Sequence, residues 1–240
     1  MAADVIDVFW TADLDTVAAA ANQKSPRKVT LSQWKGEGFM HCPSLRDHCK
    51  NVYSIDARVN LELKQNPFNE DKDFYLPIES NDLDSYRPDQ YDSPEESKRR
   101  CYSIQHLIYL ATDCKDLEIE ILHPFLSNSS FADSCEVIPG GFNLGKYSRS
   151  IALSFQVRDI NTSEFSIKEG DALYYIRFKT DKRINFIPFY PEKDIMDIFN
   201  NMNNSSVLHT NTLKKHYDNY KRFNTKNVLI NKIRAQLNES

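Results

Sequence analysis

The sequence predicts an α+β chain: a mainly β body, built as a sandwich or β-clip-like arrangement of short, mostly antiparallel strands, followed by C-terminal helices. Three observations carry that reading. In SIDARVNLELK, Ile55, Ala57, Val59, Leu61 and Leu63 share one face while Asp56, Arg58, Asn60, Glu62 and Lys64 share the other; this period of two marks a half-buried strand with one wet face. Shorter alternating stretches recur downstream between turn signals, the spacing of a sandwich or folded-over barrel. After residue 190 the apolar period lengthens to that of a helix. The expected division is a β-rich body over residues 1–190, with a long acidic insertion at about 66–100, and a helical extension over 191–240.

Taken in order, MHCPSLRDHC offers a helix start, with Pro43 and Ser44 followed by Asp47. The strand over 54–64 comes next. The segment 66–100 is rich in Asp, Asn, Ser and Pro with little periodicity, so it reads as a long connection. LEIEIL (117–122) alternates, and in SIALSFQV the side chains of Ile151, Leu153, Phe155 and Val157 share a face. EFSI (164–167), ALYYIRF (172–178) and INFIPF (184–189) complete the run, and Pro188 assigns the last strand to a sheet edge. Ile195, Ile198, Phe199 and Met202 stand at helical spacing, as do Leu213, Tyr217 and Tyr220, and then Leu229, Ile233 and Leu237. Between the first two sets, NNMNNSS (200–206) reads as a linker. A narrow apolar stripe on basic helices suits packing on the chain's own sheet or on a neighbouring subunit.

With 40% hydrophobic and 12% aromatic residues in 240, the chain has enough apolar surface for a core. A net charge of −4 gives no global pull toward nucleic acid or an anionic membrane. The distribution is uneven. Residues 65–100 hold ten acidic and five basic side chains, and residues 207–240 hold seven basic and two acidic, so the two segments carry −5 and +5. Such a chain is suited to head-to-tail self-association or to an acidic partner, or simply to two solvated surfaces. The acidic start MAADVIDVFW lacks the form of a signal peptide, and no apolar window is long enough to span a membrane. Five cysteines, an odd number, are expected to be reduced in an intracellular setting. Asn-X-Ser/Thr triplets, among them those at Asn128, Asn161 and Asn204, then mark polar loops.

Candidate chemistry is sparse. His41 and Cys42 recur as His48 and Cys49, residue types that zinc takes as ligands, but no second paired cluster accompanies them; the alternative is buried cysteines beside surface histidines. No nucleophile elbow, P-loop or cysteine-protease signature is present. In PGGFNLGKYSR, Gly140 and Gly141 permit positive φ at a turn, Gly145 marks a second tight point, a strand begins at Ser150, and Tyr147 and Arg149 sit on its rim. Lys214, Lys215, Lys221, Arg222, Lys226, Lys232 and Arg234 interleave with Tyr217, Tyr220 and Phe223, an arrangement suited to a phosphate backbone or to a solvated helix face.

Two resemblances add expectations. The order turn, Tyr147, Arg149, strand, then a Gly170–Asp171 turn before the next strand resembles the central part of the trimeric dUTPases and dCTP deaminases, over about 45 of the 240 residues. It implies a deoxynucleotide pocket at Gly140, Gly141, Phe142, Asn143, Tyr147 and Arg149. The family's water-activating aspartate falls at Asn143, and an amide cannot accept the proton. Across the whole chain, Cys42, Pro43, Lys50, Asn51, Gly170, Asp171, Leu173, Arg177 and Phe178 are similar to a pattern in proteins of tailed phages, including those infecting marine cyanobacteria. That resemblance implies a setting, the infected host cytoplasm or the virion, with self-association and other phage proteins as partners. The expectation is a non-catalytic structural or interaction protein without cofactor; the alternatives are a dUTPase-like nucleotide protein and a nucleic-acid contact through the basic helices.

Overall fold

The computed structural model describes residues 5–12, 25–31, 38–65, 74–75, 89–91, 101–159, 161–208 and 212–239. Its strands are β1 (Val5–Ala12), β2 (Arg27–Lys28), β3 (Val52–Asp56), β4 (Leu61–Gln65), β5 (Phe74–Tyr75), β6 (Asp89–Tyr91), β7 (Cys101–Ala111), β8 (Glu118–Leu122), β9 (Cys135–Val137), β10 (Gly140–Asn143), β11 (Arg149–Val157), β12 (Glu164–Ile167), β13 (Ala172–Phe178) and β14 (Arg183–Pro188). A 3-10 turn covers Gly38–His41, and the helices are α1 (Pro43–His48), α2 (Ser130–Ser134), α3 (Lys193–Leu208), α4 (Leu213–Arg222) and α5 (Thr225–Glu239). The fold is mainly β with C-terminal helices, as the sequence predicts.

The first sheet runs β14-β1-β7-β11-β9, with β6 on the start of β7. The second runs β10-β8-β13-β3-β2, and a small third sheet runs β12-β4-β5. Among these pairs β1–β14 is parallel and the others are antiparallel. The first sheet faces the other two across one core, where Val8, Leu110, Leu153 and Phe155 meet Ile119, Tyr174, Phe178 and Leu63. On its opposite face Phe9, Tyr109 and Ala111 pack against Ile195, Phe199, Leu229 and Ile233. The C-terminal helices therefore form a third layer on their own sheet. No helix among the described residues is long and apolar enough to cross a membrane.

That layering explains several departures from expectation. β1 and the end of β7, from Ile108 to Ala111, do not alternate because they are buried on both sides, by the core and by the helices, and a doubly covered strand has no wet face to show. SIDARVNLELK is two strands, not one: β3 lies in the second sheet and β4 in the third. The break follows Ala57, whose N–H donates to the Asp171 carbonyl while its own carbonyl accepts from Gly170. The alternation of burial persists through the corner because both halves back onto the same core. NNMNNSS is not a linker but the second half of α3. Two pieces of the 66–100 insertion are strands, β5 and β6, each pairing with the body. The rest of that insertion lies outside the described residues. β14, with Pro188, is an edge strand as expected.

Candidate docking site and the adjoining cleft

The outer face of the second sheet carries a cleft of about 520 Å³. Alternation in β8 turns Ile119 into the core and leaves Glu118 and Glu120 facing out. In β10 the same rule buries Phe142 and turns Gly141 and Asn143 outward. Gly141 stands opposite Glu120 in register, and a Cβ there would lie 2.8 Å from the Ile119 carbonyl oxygen. The bare backbone at 141 thus forms part of the cleft floor. Lys179 Nζ lies 2.6 Å from Glu120 and 3.8 Å from Glu118, and Arg177, paired with Glu120 in register, reaches it at 3.7 Å. At one end Tyr217 reaches in from α4, its hydroxyl accepting the Asn143 backbone N–H at 2.9 Å.

Asn143 donates through Nδ2 to the Asp116 carboxylate, which also lies 3.1 Å from Lys146 Nζ. The Asn143 hydrogen bond and the Lys146 ammonium hold that carboxyl below its ordinary range, so it is a poor proton acceptor. Asn143 Oδ1 is buried without a hydrogen-bond partner among the described residues. The lining carboxylates Glu118 and Glu120 are matched by Lys179 and Arg177.

The residues singled out by the dUTPase resemblance divide here. Gly140, Gly141, Phe142 and Asn143 line the cleft; Tyr147 and Arg149 do not. Gly140 and Gly141 lie in β10, and the glycine with positive φ among the described residues is Gly170, at +89°. The turn itself is Asn143–Tyr147, closed by the Lys146 and Tyr147 N–H groups on the Asn143 carbonyl. Tyr147 is not a rim residue. It is 3% exposed, stacks on His216 at 5.3 Å and donates its hydroxyl to the Met202 carbonyl at 3.0 Å. Arg149 donates through Nε to the Ser150 carbonyl, with its guanidinium 5.8 Å from the Phe142 ring centre.

The basic cluster also divides. Lys226 Nζ donates to the carbonyls of Cys114, at 2.5 Å, and Gly145, at 3.1 Å, clamping two turns together. Burial pulls its ammonium below the usual lysine range. Lys232 pairs with Asp194, and Arg234 pairs with Asp113 at 2.5 Å while lying over the Phe9 ring. Lys226 and Arg234 fasten α5 to the body, and Lys232 fastens it to α3. Lys214, Lys215, Lys221 and Arg222 on α4 are exposed and make no ion pair with another described residue. Beside them stand Leu213, 43% exposed, and Phe223, 67% exposed, with the Arg222 guanidinium 5.7 Å from the Phe223 ring. The stripe predicted for α4 is rotated: His216 and Tyr220 are buried, the latter donating to Ser148 Oγ at 2.9 Å, while Leu213 faces out. A histidine opposite a tyrosine carries no apolar signal, so spacing alone missed it.

Pro43 opens α1, with Cys42 as its N-cap. Cys49 is buried but Cys42 is exposed, so the pair does not share one environment. Arg46 donates to His41 Nδ1 at 3.0 Å and Arg177 to His48 Nδ1 at 3.4 Å. No group of three or more His, Cys, Asp and Glu able to hold a metal occurs among the described residues. Backbone N–H groups of Leu45 and Ser44 lower the Cys42 thiol, whereas burial raises Cys49 and Cys135. Thiolate is the nucleophile, so brief alkylation of the native protein at mildly alkaline pH will label Cys42 first and leave Cys135 unmodified. Peptide mass analysis checks this; equal labelling of both would contradict it.

The class that emerges is an α+β protein with a β-sandwich body and a helical third layer, carrying a cleft and a basic helix whose exposed cations make no ion pair with another described residue. No family model matches this chain, and no curated protein or solved structure matches it.

Proposed function

We propose that this chain is a non-catalytic structural or interaction protein of the tailed-phage kind, acting in the infected host cell or the virion by docking through α4. The observation that supports this reading is the α4 face: four cations without ion-pair partners among the described residues, flanked by exposed Leu213 and Phe223. Charged side chains on a self-contained protein are free to pair with neighbours, as Lys226, Lys232 and Arg234 do. An exposed aromatic stacked by an arginine is the composition of an interface anchor. The test is retention on a polyanion matrix such as heparin. Lys221→Glu with Arg222→Glu will elute at clearly lower salt than the parent, with an unchanged melting temperature; equal elution counts against docking through α4.

A second reading, a deoxynucleotide in the cleft, draws on Gly140–Asn143 and Lys179 lining it. Tyr147, which the resemblance would use, is buried and donates to the Met202 carbonyl, and half-buried Arg149 donates through Nε to Ser150 outside the cleft lining. Thermal-shift measurements with dUTP and dCTP, with and without magnesium, are expected to be flat. A selective rise with either nucleotide would promote this reading over the first.

A further inference from the structure

The exposed face of α4 is a charged track that ends in a ring. Its cations form two parallel rows, Lys214 with Lys221 and Lys215 with Arg222, each pair two turns and about 10.5 Å apart along the helix axis. His216 and Tyr220 are buried on the opposite side, so α4 lies along the body and offers the rows to solvent. Asp218 stands between the rows, so four cations and one acid leave α4 with a net of +3. The rows run to Phe223, 67% exposed, with the Arg222 guanidinium 5.7 Å from its ring centre. The backbone under that ring is a fixed corner. The Phe223 N–H donates to the Asn219 carbonyl at 3.0 Å and the Asn224 N–H to the Lys221 carbonyl at 3.1 Å. Asn224 takes a positive φ of 54−1 = 53° and accepts from Asn227 Nδ2 at 2.7 Å, while its carbonyl accepts the Val228 N–H of α5 at 3.3 Å.

From this placement we infer that the occupant of the α4 face is a single-stranded nucleic acid, with phosphates on the two rows and a base stacked on Phe223; the inference rests on the docking reading above. Charge complementarity requires a polyanion, since the four cations make no ion pair with another described residue. An acidic protein would be served by the charges alone. A ring two-thirds exposed beside a guanidinium adds planar faces, which bases cover and carboxylates do not. In a duplex the base faces are already covered by their neighbours, so an exposed ring stacks on an unpaired base. The fixed corner means that little freedom is lost when a base settles on Phe223. Charge and stacking read no base edge, so the contact tolerates any sequence.

Fluorescence anisotropy of the full chain tests this with a labelled oligothymidylate of about 12 nucleotides, within the range of single-strand site sizes. The parent will bind it at low salt, and the logarithm of affinity will fall against the logarithm of salt with a slope of about −2.8, or about −0.7 for each of four neutralised phosphates. Lys221→Glu with Arg222→Glu will roughly halve that slope and weaken binding about tenfold or more. Phe223→Ala will weaken binding about tenfold at an unchanged slope, and Phe223→Trp will restore it. Heparin carries charge without bases, so Phe223→Ala and the parent will elute from it at the same salt. These changes replace exposed side chains, and each variant will keep the parent's melting temperature. A parent that leaves the oligonucleotide free at low salt up to about 100 µM, the weak end of non-specific binding, overturns the inference, as does Phe223→Ala binding as tightly as the parent. The heparin measurement separates the two levels: retention lost on reversing Lys221 and Arg222, with no oligonucleotide bound, keeps the docking reading and assigns the face to an acidic protein. Retention unaffected by the reversal removes both.

Discussion

Gly145→Ala will destabilise the protein by about 3 kcal/mol, lowering the melting temperature by roughly 10 °C for a chain of this size. Gly145 needs no unusual φ; its side is occupied. A Cβ there would meet the Cys114 carbonyl oxygen at 2.6 Å, the Lys115 carbonyl carbon at 2.7 Å and the Asp116 nitrogen at 2.8 Å. All three are backbone atoms, and the Lys226 clamp holds this turn against that one. Neither side can yield cheaply. Gly140→Ala is the control, since nothing lies within 4 Å of its Cβ position; it will change stability by less than about 0.5 kcal/mol. Thermal and denaturant unfolding of the two variants decide the matter, and equal effects would refute the steric account.

Phe199→Ala will cost about 3–5 kcal/mol and will loosen the helical layer before the sandwich. Phe199 is fully buried between Tyr109 of β7, ring centres 5.2 Å apart, and Phe189, stacked at 6.3 Å. It is the point where α3 grips the outer face of the first sheet. Its loss leaves Ile195, Leu229 and Ile233 around a cavity that helices can open but strands cannot fill. Limited proteolysis will then cut first within residues 191–240, and Phe199→Leu will recover most of the protection. If cleavage instead spreads through the strands at the same rate, body and helices unfold as one unit and the layering has no energetic meaning.

Legibility in the sequence followed wetness. Where a strand has one wet face, as at Leu61 and Leu63 beside Glu62 and Lys64, the pattern was plain and the burial is as expected. Where both faces are covered, as in β1 and over Ile108–Ala111 of β7, the same pattern vanishes, although both strands lie inside the first sheet. The glycine motif reads as a turn because Gly-Gly usually supplies positive φ; here Gly141 is suited by its lack of bulk against Ile119, and Gly145 against Cys114–Asp116. Those contacts are long-range and leave no local trace. The basic residues posed the same difficulty. Nothing in the string separates Lys226, which holds two carbonyls, from exposed Lys221, which holds none among the described residues; only the position of each on its helix relative to the body does so.

The parallel pair at the edge of the first sheet bears on how the chain reaches this state. β1 needs β14 on one side, with Asp7 opposite Asn185 and their side chains joined at 2.8 Å across 178 residues of sequence. Until residue 188 is available, β1 exposes an unpaired edge and the platform for Phe199 is incomplete. Loop-closure entropy on that scale must be met before the contact rewards it, the situation in which β-rich proteins fold over milliseconds to seconds. A ribosome would therefore release most of this chain before its sandwich could close, leaving the apolar VFWTA edge in need of shelter for the duration of synthesis.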